Sequence, residues 1–276
     1  MTTEHPTPAA SRRDFLKTSA ATLAAGALAL ERTGGVYAAG GDTLRVGLIG
    51  CGGRGSGAAE NALKADPNVK LVAMADAFMD RLEASLNSLK KLGEKVDVPP
   101  ERRFAGFDAY KQLLDCGVDV VILATPPHFR PLHMKAAVEA GKHVFAEKPM
   151  AVDAPGVRSV LQTAQEAKKK NLCLVSGFCF RYEPAKRETV KRLHDGAIGE
   201  VLAIHANYNT GPIWHRPCDA PFDSMEYQMR NWYYFTWLSG DFNVEQHIHN
   251  LDKAAWVLKW EWPIAAVGLG GRQVRT

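Results

Sequence analysis

The sequence predicts an α/β fold: a doubly wound parallel sheet followed by an α+β region with an open sheet. Three observations carry this reading. Five short apolar, β-branched runs recur at 44–49, 69–75, 118–124, 143–146 and 172–176. Helical patterns separate them at 57–65, 78–92, 107–114, 131–140 and 154–170. The alternation then stops near residue 178. Strands alternating with helices of this length imply βαβ units and a parallel sheet. Near-continuous apolar strands imply a sheet covered on both faces. Right-handed crossovers leave few topologies other than a doubly wound one.

Beyond residue 178 the pattern changes. A helix is expected over 184–194. Residues 199–208 alternate as a strand does, and 209–240 are rich in Trp, Tyr, Pro and Gly and read as irregular. A second helix is expected over 242–258 and a last strand over 264–269. The expected division is a leader at 1–38, a first domain at 42–178, and a partial α+β domain at 179–276.

The leader is read from its chemistry. Arg12 and Arg13 precede Phe15-Leu16-Lys17, an Ala-rich apolar run follows, and Val36-Tyr37-Ala38 supplies small residues for cleavage. That order is the one secretory signals use, here of the twin-arginine type. Export to the periplasm or another extracytoplasmic space is the expectation, with no stable membrane insertion after cleavage. No run reaches the roughly 18 apolar residues of a membrane span. A net charge of +4, not clustered, gives no sign of a nucleic-acid-binding face. The five cysteines Cys51, Cys116, Cys173, Cys179 and Cys218 form no C-x-x-C pair and are expected to be reduced apolar fillers.

The first run ends in Gly50-Cys51-Gly52-Gly53-Arg54-Gly55, a G-x-G-x-x-G turn. Between a strand and a helix this pattern has a mechanism. Gly50 permits the tight turn, Gly52 admits a pyrophosphate to the backbone, and Gly55 lets helix pack on strand. Gly53 and Arg54 open the helix, whose amide groups and dipole favour an anion. Asp76 ends the second run, 21 residues after Gly55, where a carboxylate accepts hydrogen bonds from a ribose 2′-hydroxyl. This is the Rossmann arrangement, and NAD is its expected ligand. Arg81 lies close enough in sequence to keep NADP open.

Two further segments follow strands and so face the crevice at the carboxyl ends of the sheet. They are Thr125-Pro126-Pro127 and Glu147-Lys148-Pro149. Lys148, held extended before a proline, would sit near the cationic nicotinamide, which lowers a lysine's pKa and suits acid–base work. In the late helix, Glu245, His249 and Asp252 share one face, beside an apolar stripe of Val244, Ile248, Leu251 and Ala255. A histidine flanked by carboxylates can move protons near neutral pH. Metal binding is the rival reading for His247 and His249, but residues two apart on a helix point to nearly opposite sides. No metal site is assigned.

The segment from Ala124-Thr125-Pro126-Pro127 through His133 to Ala140-Gly141-Lys142-His143-Val144-Phe145-Ala146-Glu147-Lys148-Pro149 resembles the Gfo/Idh/MocA oxidoreductases, the glucose–fructose oxidoreductase and inositol dehydrogenase group. Arg181-Tyr182-x-Pro184 and Gly196-x-Ile198-Gly199-Glu200-Val201 are similar to that family's domain junction. The resemblance implies hydride transfer between nicotinamide and a sugar-type hydroxyl or carbonyl. It implies Lys148 at the nicotinamide and His249 at the substrate. Glu245 stands where the family has an aspartate, and His247 where a glycine is common. Catalytic roles are therefore expected for Lys148, His249 and Glu245. Cofactor contacts are expected from Gly50, Gly52, Gly53, Arg54, Gly55, Asp76, Thr125, Pro126, His133, Glu147 and Lys148. Arg181 and Asp252 are expected to contact a small sugar-like substrate. Export already folded suits an enzyme that loads its cofactor first. Two alternatives stand beside this: an NAD-assisted glycosidase of the same family, and a catalytically incomplete NAD-binding fragment. Relative to the family the chain is short, which implies a truncated C-terminal sheet. A complete sheet would make a homo-oligomer possible.

Overall fold

The computed structural model describes residues 43–211 and 213–271. The twin-arginine segment lies outside them. Six strands form one parallel sheet: β1 (Leu44–Ile49), β2 (Val69–Asp76), β3 (Arg103–Ala105), β4 (Val120–Leu123), β5 (His143–Ala146) and β6 (Leu174–Ser176). Their order across the sheet is β3-β2-β1-β4-β5-β6. The chain winds outward from β1 in one direction and outward from β4 in the other. A crevice therefore opens above the carboxyl ends of β1 and β4, where the two crossovers part. The expected doubly wound α/β fold is the one observed.

Helices cover both faces. They are α1 (Gly53–Ala65), α2 (Met79–Leu89), α3 (Ala109–Leu114), α4 (Arg130–Glu139) and α5 (Ala154–Lys169). One core gathers Leu48, Leu63, Leu71, Met74 and Leu82 beneath α1 and α2. The other gathers Leu113, Val121, Leu123, Met134 and Val138 beneath α3, α4 and α5. α5 starts on Asp153, whose carboxylate accepts from the Gly156 amide at 2.7 Å. That side-chain cap satisfies one of the amides that a helix start leaves open.

Several boundaries differ from expectation, for physical reasons. α1 begins at Gly53, not at residue 57, because the glycine turn is itself the first helical turn. β3 was not expected. Its three residues pair with Met74–Asp76 and are too few for any period to show. The strands expected at 199–208 and 264–269 are absent. No strand pairs with them among the described residues, and Leu202, Ile264, Val267 and Leu269 stand open to solvent. Alternation alone does not make a strand, because backbone N–H and C=O groups need a partner. The helix α6 (Pro184–His194) has the expected bounds. The stretch 209–240 is not wholly irregular: it holds α7 (Met225–Arg230) and α8 (Thr236–Ser239).

The late helix is two pieces. A π-helical turn, Asn243–His247, runs into α9 (Ile248–Val257). The expected apolar stripe is only partly covered: Val244, Ile248 and Ala255 are half-buried and Leu251 is exposed, while Glu245 and Asp252 are buried. Polar contacts, described below, hold this helix down. The cysteines are all free, as expected, but only Cys51 is a buried filler; Cys173 and Cys179 are exposed. Among the described residues no helix is long and apolar enough to cross a membrane.

Candidate functional site

Gly50 has φ +95°, and a side chain there would strike Ala124 and Thr125 backbone at 2.6 Å. Gly55 is tighter still, with an added Cβ 1.9 Å from the Gly50 carbonyl oxygen. These two glycines bring turn, helix and β4 into contact. Gly52 is different: a Cβ added there meets nothing within 4 Å. It caps α1 with no side-chain hydrogen bond, so the helix's first amides face open space. An unfilled cradle above free amides at a helix start fits a pyrophosphate.

The adjoining pocket runs from Asp76 and Arg81 past Gly52 to Thr125, Pro126 and His133. Asp76 accepts from the Cys51 amide at 2.6 Å and the Phe78 amide at 3.0 Å, so its carboxylate also braces the glycine turn. Burial raises its pKa, against the pull of those two amides. His133 sits between Tyr110, 4.4 Å between ring centroids, and Phe129, 5.8 Å, and its Nδ1 lies 3.3 Å from the Thr125 hydroxyl. Burial and the Arg130 charge push it down to about 3, so it is neutral and serves as a wall. Met229 and Trp232, from beyond residue 178, complete the pocket. Arg230 holds them there through Asp80, with contacts at 3.0 and 3.3 Å.

Sequence reasoning missed Arg130. It is 1% exposed and donates to the carbonyls of Leu123, Thr125 (2.7 Å) and Pro149 (3.4 Å). One guanidinium thus ties the end of β4 to both loops that face the crevice. Burial pushes its pKa down to about 10. An Arg-Pro at a helix start after Thr-Pro-Pro was the available signal, and it points equally to a surface arginine.

At the end of β5, Glu147 is buried and accepts from Arg54 at 2.5 Å. Two expected cofactor residues are thereby joined across the sheet. Gly177 packs directly on the Glu147 carboxyl group. The neighbouring Lys148, preceding a cis proline, donates to the Glu245 carbonyl at 2.7 Å and to its Oε1 at 2.9 Å. The structure therefore brings Lys148 and Glu245 together, 97 residues apart. Glu245 shares a helical face with His249, but its carboxylate turns to the lysine. Burial raises the Glu245 pKa, opposed by the Lys148 charge.

His249 is surrounded by rings: Phe180 at 5.0 Å, Phe178 at 6.4 Å and Tyr208 at 6.4 Å. Its pKa falls to about 4, through burial first and then the charges of Lys148 and Lys253. Glu245 Oε2 and His249 Nδ1 are both buried without a hydrogen-bond partner. Two such atoms on one helical face, beside Lys148, leave hydrogen-bonding capacity that a hydroxylated guest could take up. His247 turns away to Asn243 Oδ1 at 2.6 Å. Among the described residues no three His, Cys, Asp or Glu side chains gather as a metal site. Arg181 and Asp252 satisfy one another, with side-chain contacts at 2.9 to 3.1 Å. That pair anchors α9, and both residues line a second cavity with Tyr182, Ile248 and Trp260.

Residues 44–176 match the family described as GFO_IDH_MocA, "Oxidoreductase family, NAD-binding Rossmann fold". Inositol 2-dehydrogenase of Rhizobium meliloti (strain 1021) is 31% identical over 216 residues, 78% of this chain and 55% of that protein. A glycosyl hydrolase family 109 protein of Streptomyces coelicolor is 31% identical over 225 residues, 73% of this chain and 45% of that one. Among solved structures, KijD10, a 3-ketoreductase from Actinomadura kijaniata in complex with NADP and TDP-benzene, aligns with TM-score 0.59 at 25% identity, covering 79% of this chain and 58% of that one. The chain spans about half the length of the curated relatives it matches. The parallel sheet, its glycine turn and the sequence match agree: residues 44–176 form a Rossmann unit that matches the model of the NAD-binding Gfo/Idh/MocA oxidoreductases.

Proposed function

We propose that the chain is an oxidoreductase that passes a hydride between a nicotinamide dinucleotide and a sugar-type carbinol. The observation that carries this is the convergence of Lys148, Glu245 and His249 at the end of β5, with two buried polar atoms left for a guest. A bound dinucleotide supplies the hydride acceptor or donor. The residues do the rest. Gly52 and the first turn of α1 hold the pyrophosphate. Asp76 meets the adenosine ribose, which favours NAD over the 2′-phosphate of NADP. Glu147 and Arg54 flank the nicotinamide half.

Lys148 has two of its three N–H groups on Glu245. The third polarises the oxygen of the reacting carbon. Glu245 thus acts as a positioning residue for Lys148. His249, neutral with its pKa near 4, accepts the hydroxyl proton as the carbinol is oxidised. Protonation silences a base, so activity is held above the folded pKa and lost as pH falls through it. The acid limb of kcat/KM for oxidation is expected below about pH 5, well under the ordinary histidine value near 6.5. A pH–rate profile checks this; a limb at the ordinary value contradicts the assigned base. Export by the twin-arginine route belongs to the same proposal.

The likeness to a glycosyl hydrolase keeps one rival in the test. The folded chain is incubated with NAD and a panel of inositols, hexoses, sugar acids and aryl glycosides. Growth of reduced-nicotinamide absorbance supports the oxidoreductase. Release of the aryl group with no net reduction supports the hydrolase instead.

A further inference from the structure

We infer that the substrate is a sugar bearing an anionic group, carboxylate or phosphate, held at Lys253 about one sugar-ring width from the carbinol that His249 meets. This rests on the oxidoreductase reading and names its substrate class. His249 and Lys253 lie four apart on α9, so their side chains are neighbours on one face, with roughly 5–6 Å between Cβ atoms. One ring links them. The Phe180 centroid is 5.0 Å from the His249 ring and 4.7 Å from Lys253 Nζ. The lysine is half-buried.

The charges around the pocket do not balance without a guest. Each nearby acid already has its cation. Glu147 pairs with Arg54, Glu245 with Lys148, Asp252 with Arg181, and Glu183 with Lys186. Lys253 has no carboxylate within ion-pair distance among the described residues; its ammonium lies over the face of Phe180. Lys186, already paired with Glu183, lies 4.6 Å from the same ring. Lys253 is therefore a surplus positive charge one helical turn beyond His249. The low His249 pKa agrees, since Lys253 is among the charges that depress it. An aromatic face beside a cation suits a sugar that stacks its C–H face and directs an anion to one end. A neutral inositol or hexose would leave the ammonium uncompensated.

The test uses the full chain with NAD bound, titrated calorimetrically with D-glucuronate and D-galacturonate against D-glucose and D-galactose, and with glucose 6-phosphate. At least one anionic sugar is expected to bind about ten- to a hundredfold more tightly than its neutral counterpart, the range of a charge-assisted hydrogen bond. The carboxylate and phosphate arms show which anion is taken. Lys253→Met is expected to bring the acid-to-neutral ratio close to one, while Lys253→Arg retains most of it. Circular dichroism establishes that both variants are folded. Equal or tighter binding of the neutral sugars, no binding of any anionic sugar, or a ratio unmoved in Lys253→Met overturns the inference. Failure of NAD itself to bind overturns the oxidoreductase reading instead, so the two failures are distinguishable.

Discussion

Lys148→Met is expected to lower kcat for hydride transfer by about 10²- to 10⁴-fold, the usual worth of a positioned acid or base. Dinucleotide affinity should change far less, because the pyrophosphate turn is on β1 and α1, away from this side chain. The same substitution strips Glu245 of its cation. Glu245 is 7% exposed, and a buried carboxylate left unpaired costs about 3–5 kcal/mol. Thermal stability should therefore fall together with turnover. Adding Glu245→Gln removes the unpaired charge and should restore most of the stability while turnover stays lost. That double variant separates chemistry from folding. Turnover within a few-fold of the parent in Lys148→Met would remove the lysine from the mechanism.

The second large effect is expected in the glycine turn, where two neighbouring glycines should fail in different ways. Gly52 has φ −72°, which any residue adopts, and open space where a side chain would go. Gly52→Val should fold with an unchanged melting temperature and lose dinucleotide affinity by about a hundredfold or more, because the side chain fills the cradle the phosphates need. Gly55→Ala should damage the fold itself, since its methyl group lands 1.9 Å from the Gly50 oxygen and α1 must move off the sheet. Calorimetric titration and thermal melts on the two variants check the contrast. A Gly52→Val protein that binds normally would mean the pyrophosphate does not lie over that residue.

The parts of this molecule that local pattern announces are the parts a reader of the sequence can place. The run from β1 through the glycine turn into α1 is such a part, because strand, turn and helix each require their own residues at those positions. The spacing of Asp76, and the two loops after β4 and β5, follow from the same sheet logic. What local pattern does not contain is pairing at a distance. Residues 199–208 alternate well and 264–269 are apolar, yet neither forms a strand, since a strand exists only where a neighbour takes its hydrogen bonds. β3 shows the reverse: three residues without a pattern become a strand because β2 is beside them.

The site divides in the same way. Glu245 and His249 are visible as a pair on a helix, and helical spacing suggests that they serve one another. The structure gives Glu245 to Lys148, and a π-helical turn sits at the point of contact. No spacing rule foresees a partner 97 residues away. Arg181 and Asp252, 71 residues apart, are likewise found holding each other, which no local spacing foresees. Arg130 is the clearest omission. Its burial is what makes it matter, and burial of an arginine is a property of the assembled loops, not of its neighbours in sequence.

Isothermal titration of the folded chain with NAD, and in parallel with NADP, tests the account most directly. One dinucleotide per chain is expected to bind with measurable heat, NAD the tighter of the two because Asp76 lies on the ribose wall of the pocket. Silence with both dinucleotides, on protein whose melting transition shows it folded, would contradict the cofactor site and every role assigned to the residues around it.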